Sequence, residues 1–124
     1  MATADQLHLH PVLIYATVES CKKVYSFPIT SLKKVVVDGN YCDFYFTNRK
    51  KITLYGSLTN FEDQLAGNGF VRLNRSELVS LWHLEEASVN EGAVLPEKES
   101  VTVSRRGMAR LKQHHQQGVR SHKK

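Results

Sequence analysis

The stretch FVRLNRSELVSL, residues 70–81, places one arginine at the corner between two apolar segments. Alternation from Phe70 to Leu73 predicts a strand, and the apolar residues that follow Ser76 predict another. Asn and Ser side chains at such a corner can bind backbone N–H groups of the turn, so Arg75 between them should point outward. A guanidinium matches phosphate and the acceptor edge of guanine. An ordinary solvated arginine is the alternative interpretation.

Charge is distributed unevenly along the chain. The 124 residues include 17 basic and 12 acidic residues, which gives a net charge of +5. Seven of the basic residues and none of the acidic ones follow position 104, so residues 1–104 carry 10 − 12 = −2. A concentrated basic segment attracts polyanions, which favours nucleic acid or an anionic surface as a partner. For residues 117–124 we prefer the simpler interpretation of a solvated tail.

Length and cysteine content indicate one domain in a reducing compartment. No apolar run approaches the ~20 residues needed to cross a bilayer, and the N-terminal segment lacks the pattern of a secretory signal. Cys21 and Cys42 lack paired spacing, so we expect free thiols and a cytoplasmic protein. We predict a flexible lead-in over residues 1–10, a folded domain over 11–116 and a basic tail over 117–124.

Hydrophobic patterns predict a mostly β protein. Between 41 and 47, Cys42, Phe44 and Phe46 alternate with polar residues and should face the core. Besides the strands around Arg75, we predict strands at 12–18, 24–27, 32–37, 41–47, 52–55, 84–89, 93–95 and 101–103. Strands and helices do not alternate as a parallel sheet would require, so the sheets should be antiparallel.

Two helices are predicted. The first begins at Ser57 and should end at Gly67, with apolar residues at helical spacing between them. The second begins after Ser104, a plausible N-cap, with Met108, Leu111 and His115 on its apolar face. We expect Arg106, Arg110 and Gln113 on the opposite face.

The start of the second helix is unusually basic, with Arg105 and Arg106 in the first turn. Cations there oppose the helix dipole, whereas the free N–H groups of that turn form an anion site. A bound phosphate would convert this penalty into a gain. Solvated arginines at an exposed helix start are the alternative.

The tip Arg49–Lys51 is equally open to two interpretations, because its cations could bind phosphate or could prevent pairing at a sheet edge.

The chain shows no signature of catalysis. A Gly-rich phosphate loop, zinc-type Cys/His spacing and a nucleophile elbow are all missing from the sequence. His8 and His10 form a His-x-His pair without a third ligand nearby in sequence. We therefore predict no catalytic residues, no metal site and no cofactor.

Three stretches together resemble the LytTR DNA-binding domain of bacterial response regulators. They are residues 35–55, with DGNY at a turn and YGSL before the first helix, the opening stretch 70–81, and VTVSRRGMARLK at 101–112. The resemblance covers roughly residues 11–115. It implies an elongated antiparallel β assembly with one short central helix and a C-terminal helix. Loops of this family enter successive major grooves of DNA, usually at paired direct repeats in promoters.

The resemblance also implies two groups of DNA contacts. The residues expected to face bases are Asn40, Tyr41, Asn74, Arg75 and Arg106. The residues expected to contact the DNA backbone are Lys50, Lys51, Arg72, Ser76, Arg105 and Arg110.

Our leading hypothesis is a sequence-specific double-stranded DNA-binding transcription regulator. A second copy on DNA is one expected further partner. A sensor or regulatory protein is another, because the receiver domain usual in the family does not precede these residues. The alternative is a protein-interaction module of the same fold that regulates a DNA-binding relative. Asn74, where the family commonly has His, motivates that alternative. RNA binding is a third and weaker hypothesis, because most aromatic residues fall on the predicted core face.

Overall fold

The computed structural model describes residues 14–84, 86–88, 92–95 and 99–119. The strands are β1 (Tyr15–Ser20), β2 (Lys23–Pro28), β3 (Leu32–Asp38), β4 (Tyr41–Phe46), β5 (Lys51–Tyr55), β6 (Phe70–Asn74), β7 (Glu77–Ser80), β8 (Glu86–Ser88), β9 (Gly92–Leu95) and β10 (Glu99–Val101). The helices are α1 (Leu58–Gln64) and α2 (Arg105–Val119). None of the described helices is long and apolar enough to span a membrane.

The described strands form three antiparallel sheets. A five-stranded sheet has the order β5-β4-β3-β7-β6, β1 and β2 form a hairpin, and β8, β9 and β10 form a small meander. All registered strand pairs are antiparallel. This arrangement confirms the predicted fold class, a mostly β antiparallel assembly with a short central helix and a C-terminal helix.

The five-stranded sheet has a hydrophobic core on each of its two faces. Adjacent residues of a strand point to opposite faces. Accordingly, Phe70 and Leu78 pack in one core with the β1–β2 hairpin and α1, whereas Val71 and Val79 pack in a second core. The second core includes Leu95 of β9 and the α2 side chains of Met108 and Leu111. The sheet is thus fixed between a hairpin layer and a helix.

Several predicted element boundaries moved in the structure. The last strand is Glu99–Val101, not 101–103, and its register with β9 ends at Val101. Beyond Val101 the backbone bonds to β6, because the Thr102 carbonyl accepts from Asn74 and the Ser104 N–H donates to Leu73 at 2.9 Å. Helix α1 has Ser57 as its N-cap but ends at Gln64, before Gly67. The hairpin turn predicted at 90–92 and the start of the first predicted strand lie partly outside the described residues.

Candidate nucleic-acid interface

Two turns of the five-stranded sheet meet at the same end. Strands β3 and β7 are antiparallel neighbours, so the end of β3 lies beside the beginning of β7. The backbone N–H of Val37 donates to the Ser76 carbonyl at 2.9 Å. The β3–β4 turn with Asn40 therefore lies next to the corner with Arg75. In this way the structure brings Asn40, Tyr41, Asn74, Arg75 and Ser76 to one end of the sheet.

Asn74 holds the corner in shape with its side-chain amide. Its Oδ1 accepts the backbone N–H of Ser76 at 2.8 Å, which closes an Asx turn. Its Nδ2 donates to Glu77 Oε1 and to the Thr102 carbonyl, each at 2.7 Å. Both amide protons are therefore used within the protein. The turn leaves Arg75 exposed.

Arg72 supports the same corner from below. Its side chain is only 17% exposed and forms an ion pair with Glu62 of α1 at 3.1 Å. Atom Nη1 also donates to Thr59 Oγ1 at 3.1 Å, and Nη2 donates to the Arg75 carbonyl at 2.8 Å. Its Nε is buried without a partner. The guanidinium thus joins α1 to the backbone of the corner.

The first turn of α2 lies directly against β6. Ser104 caps the helix by accepting the backbone N–H of Gly107 at 2.9 Å, as predicted. A Cβ at position 107 would overlap the Leu73 carbonyl, so only glycine permits this approach. Sequence reasoning missed the role of Gly107. A glycine in the first turn of a helix, where it costs stability, was the available signal.

The close approach at Gly107 centres the buried face of α2 on that residue. Met108 and Leu111 pack in the core as predicted, but Arg110 does not point away from the sheet. It is half-buried and its Nη1 donates to the Arg72 carbonyl at 3.5 Å. The predicted opposite face was therefore wrong for Arg110, because the residue three positions after Gly107 is brought beside β6. The side chain of His115 lies outside the described residues.

Arg75 and Arg106 meet in one cleft. The cleft has a volume of about 490 Å³ and lies between the corner and the start of α2. Its lining residues are Arg72, Asn74, Arg75, Ser104, Arg106 and Arg110. Four of these six are arginines and none is acidic. The two guanidinium groups predicted to point outward thus share an open cleft that has no acidic residue in its lining.

Tyr41 lies at the same end of the sheet but does not line this cleft. It pairs with Tyr55 of β5, with ring centroids 5.5 Å apart in an edge-to-face arrangement. Tyr41 is 48% exposed and Tyr55 is 55% exposed. Asn40, in the turn before Tyr41, is exposed and its carbonyl accepts the Gly56 N–H at 3.1 Å. Large aromatic surface is therefore left open at this end.

The basic tip before β5 lies at the other end of the sheet. Strand β4 runs six residues from Tyr41 to the turn that precedes Lys50 and Lys51. At ~3.4 Å per residue, the sheet separates these lysines from the corner by roughly 17 Å or more. Lys51 lies over the ring of Tyr45, 5.9 Å from its centroid. The structure does not bring this tip to Arg75.

Comparisons with known proteins place the chain in one family. No curated protein matches it. A solved structure from Bacillus cereus, the LytTr DNA-binding domain of a protein described as a methyl-accepting/DNA response regulator, is 17% identical with a TM-score of 0.64. The match covers 80% of this chain and 94% of the other, and it shows a shared fold. The family model of the LytTr DNA-binding domain matches residues 22–116. The chain therefore belongs to the LytTr DNA-binding domain family.

Proposed function

We propose that the protein is a transcription regulator that recognises a specific double-stranded DNA sequence through this end of the sheet. The observation that carries the proposal is the convergence of Arg75 and Arg106 on one cleft without acidic lining. The loops around the cleft would enter successive major grooves of DNA. Such a regulator would act in the bacterial cytoplasm, without catalysis or a cofactor, and we keep 11–116 as its domain boundaries.

The chemistry of the two arginines suits base recognition. A guanidinium can bind guanine O6 and N7 with two hydrogen bonds, worth ~1–3 kcal/mol of discrimination against the wrong base. Arg75 is exposed on a turn whose backbone is held at Asn74 and Arg72. A held backbone lowers the entropy lost when the side chain binds. We assign base contacts to Arg75, Arg106, Asn40 and Tyr41.

The DNA backbone would be bound around the same cleft. Arg105 is exposed in the first turn of α2, where free N–H groups and the helix dipole favour a phosphate. Ser76 is exposed in the corner turn and can donate its hydroxyl. Phosphate contacts of this kind set register and carry little sequence information. We assign them to Arg105 and Ser76.

The remaining expected contacts receive different roles in this proposal. Arg72, Asn74 and Arg110 are bound within the protein and become positioning residues of the cleft. Lys50 and Lys51 lie at the far end of the sheet and make no contact in this binding mode. Their distance makes them a control for nonspecific charge effects.

Selection from random DNA duplexes tests the proposal directly. The protein should enrich one motif, repeated if two copies bind side by side. Arg75→Ala and Arg106→Ala should each relax the preference at one position of that motif, whereas Lys50→Ala should leave the motif unchanged. Enrichment of no motif, together with sequence-blind binding of micromolar affinity or weaker, would contradict the proposal and favour a protein-interaction module.

A further inference from the structure

A second basic group lies at the same end of the molecule, on the tip of the β1–β2 hairpin. Cys21 and Lys22 form a two-residue turn with φ values of 53° and 67°, the left-handed geometry of a tight hairpin. Lys22 and Lys23 are both exposed. The DNA contacts implied by the resemblance to the family do not include these lysines.

The hairpin tip is anchored to two other elements. Gln64 of α1 bonds both backbone groups of Glu19: its Oε1 accepts the N–H at 2.7 Å and its Nε2 donates to the carbonyl at 3.1 Å. Ser20 Oγ donates to the Tyr55 carbonyl of β5 at 2.7 Å. These bonds join residues far apart in sequence, so the tip has a defined place beside β5.

The tip lies beyond the outer edge of β5. Gly56 directs its N–H toward Asn40, on the β4 side. In a trans peptide the carbonyl points opposite to the following N–H, so the Tyr55 carbonyl points away from β4. Because Ser20 bonds that carbonyl, the tip lies outside the five-stranded sheet. Lys23 and Tyr41 line one open recess of about 470 Å³ there.

The charge of Lys23, on the tip, is directed toward the same recess. Lys23 pairs with Ser20 in the hairpin register, and directly opposite residues share a face. Glu19, the nearest acidic residue in sequence, pairs with Val24 on the other face. The lysine charge is therefore not opposed by Glu19 on the side that faces Tyr41. A compact ammonium group there suits phosphate oxygen.

We propose that Lys22 and Lys23 bind the DNA backbone on the flank of the recognised sequence, beyond the bases read by Tyr41. This inference rests on the proposed function and adds an outer contact to it. Four strand spacings of ~4.8 Å separate β5 from β6, roughly 19 Å in total. At ~3.4 Å per base pair, the flank phosphates lie about five to six base pairs or more from the Arg75 cleft.

The test compares two double variants on the selected duplex with long flanks. Affinity is measured over a series of salt concentrations. Each lost phosphate contact should reduce the slope of log affinity against log salt by ~0.9, so Lys22→Ala with Lys23→Ala should reduce it by about 1.8. The matched control, Lys50→Ala with Lys51→Ala, should keep the wild-type slope. The base motif should be the same for all three proteins.

Shortening the duplex on the Tyr41 flank provides a second arm. For the wild-type protein, the slope of log affinity against log salt should then fall by about the same 1.8. For the hairpin variant, the slope should be equal on the short and the long duplex. A hairpin variant with the wild-type slope on the long duplex, while sequence preference persists, would overturn this inference and leave the proposed function intact. Absence of sequence-specific binding by the wild-type protein would overturn both.

Discussion

The neighbours of Arg75 hold its backbone and leave its side chain in solvent. Asn74 closes the turn through the Ser76 N–H, and Arg72 binds the carbonyl of Arg75 itself. Arg106 reaches the same cleft from a different element. Two hydrogen bonds to guanine require a defined geometry. Base recognition therefore needs a backbone that is held in place and a guanidinium that is free to bind.

Replacing either arginine by lysine should separate charge from geometry. Arg75→Lys and Arg106→Lys keep the positive charge but lose the planar fork, so each should lose ~1–3 kcal/mol of base discrimination. The salt dependence of binding should change little. Competition between the selected duplex and single-base variants measures this loss. Unchanged discrimination in both lysine variants would show that the guanidinium groups do not read bases.

Cys42 gives the native state a dependence on alkaline pH. It is fully buried, and its thiol donates to the Gly56 carbonyl at 3.4 Å. Burial raises the pKa of the Cys42 thiol above its ordinary value, the charge of Asp43 raises it further, and Arg72 partly offsets both. The unfolded chain therefore releases this proton at lower pH than the folded protein.

The sign of the effect follows from proton linkage. The stability that the neutral Cys42 thiol contributes is complete below the pKa of the unfolded thiol. It is lost as pH rises from that pKa to the higher pKa of the folded thiol. Denaturant unfolding between neutral pH and pH ~10 should show a steeper loss for the wild type than for Cys42→Ala, since the ordinary thiol pKa is near 8.5. Cys21→Ala, at an exposed site, is the control. Equal pH slopes for wild type and Cys42→Ala would contradict the prediction.

At the scale of elements, α2 and α1 both act on the corner of β6 and β7. Helix α2 docks its first turn on Leu73 through Gly107 and Ser104. Helix α1 reaches the corner through the ion pair between Glu62 and Arg72. The two helices thus fix the backbone positions from which the arginine side chains extend into the cleft.

Gly107→Ala separates helix propensity from packing. Propensity alone predicts a gain of about 1 kcal/mol, because alanine favours helix over glycine. The overlap with the Leu73 carbonyl is with backbone, which cannot move aside without shifting β6 or α2. We therefore expect a loss of ~1–3 kcal/mol in unfolding free energy and weaker DNA binding. The exposed Ala109→Gly should lose about 1 kcal/mol by propensity only. A stabilised Gly107→Ala protein would refute the close docking.

Glu62→Ala tests whether α1 positions Arg75 without contacting DNA. The variant removes one partner of a half-buried ion pair, so we expect a loss of about 1–2 kcal/mol in unfolding free energy. Base preference at the position read by Arg75 should weaken, while the salt slope stays unchanged. Asp63→Ala, on the exposed side of the same helix, should change neither the unfolding free energy nor the base preference. A purely structural role would lower stability without altering the base preference.

At the scale of the whole molecule, the turns of the five-stranded sheet are divided between its two ends. The antiparallel order places the turns at Asn40 and at Arg75 together and sends the 47–50 turn to the far end. The two cores hold the hairpin and α2 on opposite faces of the sheet. A rigid scaffold of this kind can present several separate loops to one ligand.

Hydrogen exchange should show which end of the sheet binds DNA. Amides at 39–41, 74–76 and 104–107 should gain protection on addition of the selected duplex, since all three turns lie at one end. Amides at 47–50 should exchange as in the free protein. Protection confined to 47–50 would place the DNA at the wrong end of the sheet for the proposed function.

Patterns of neighbouring residues were sufficient for most of the elements and for the exposure of Arg75 and Arg106. The alternation around Phe44, the N-caps Ser57 and Ser104 and the corner at Arg75 are all local features, and the structure confirms them. Such features depend on contacts a few residues apart, which the order of amino acids displays directly. Even the family was readable in this way, from three short motifs.

Partners distant in sequence were decided only by the tertiary structure. The bonds of Arg72 to Glu62, of Gln64 to Glu19 and of Asn74 to Thr102 join separate elements. Strand order and register determine which groups meet, and no local pattern encodes either. For that reason the sequence could indicate outward-pointing cations, but the fold alone placed Arg75 with Arg106 and set Lys50 at the opposite end.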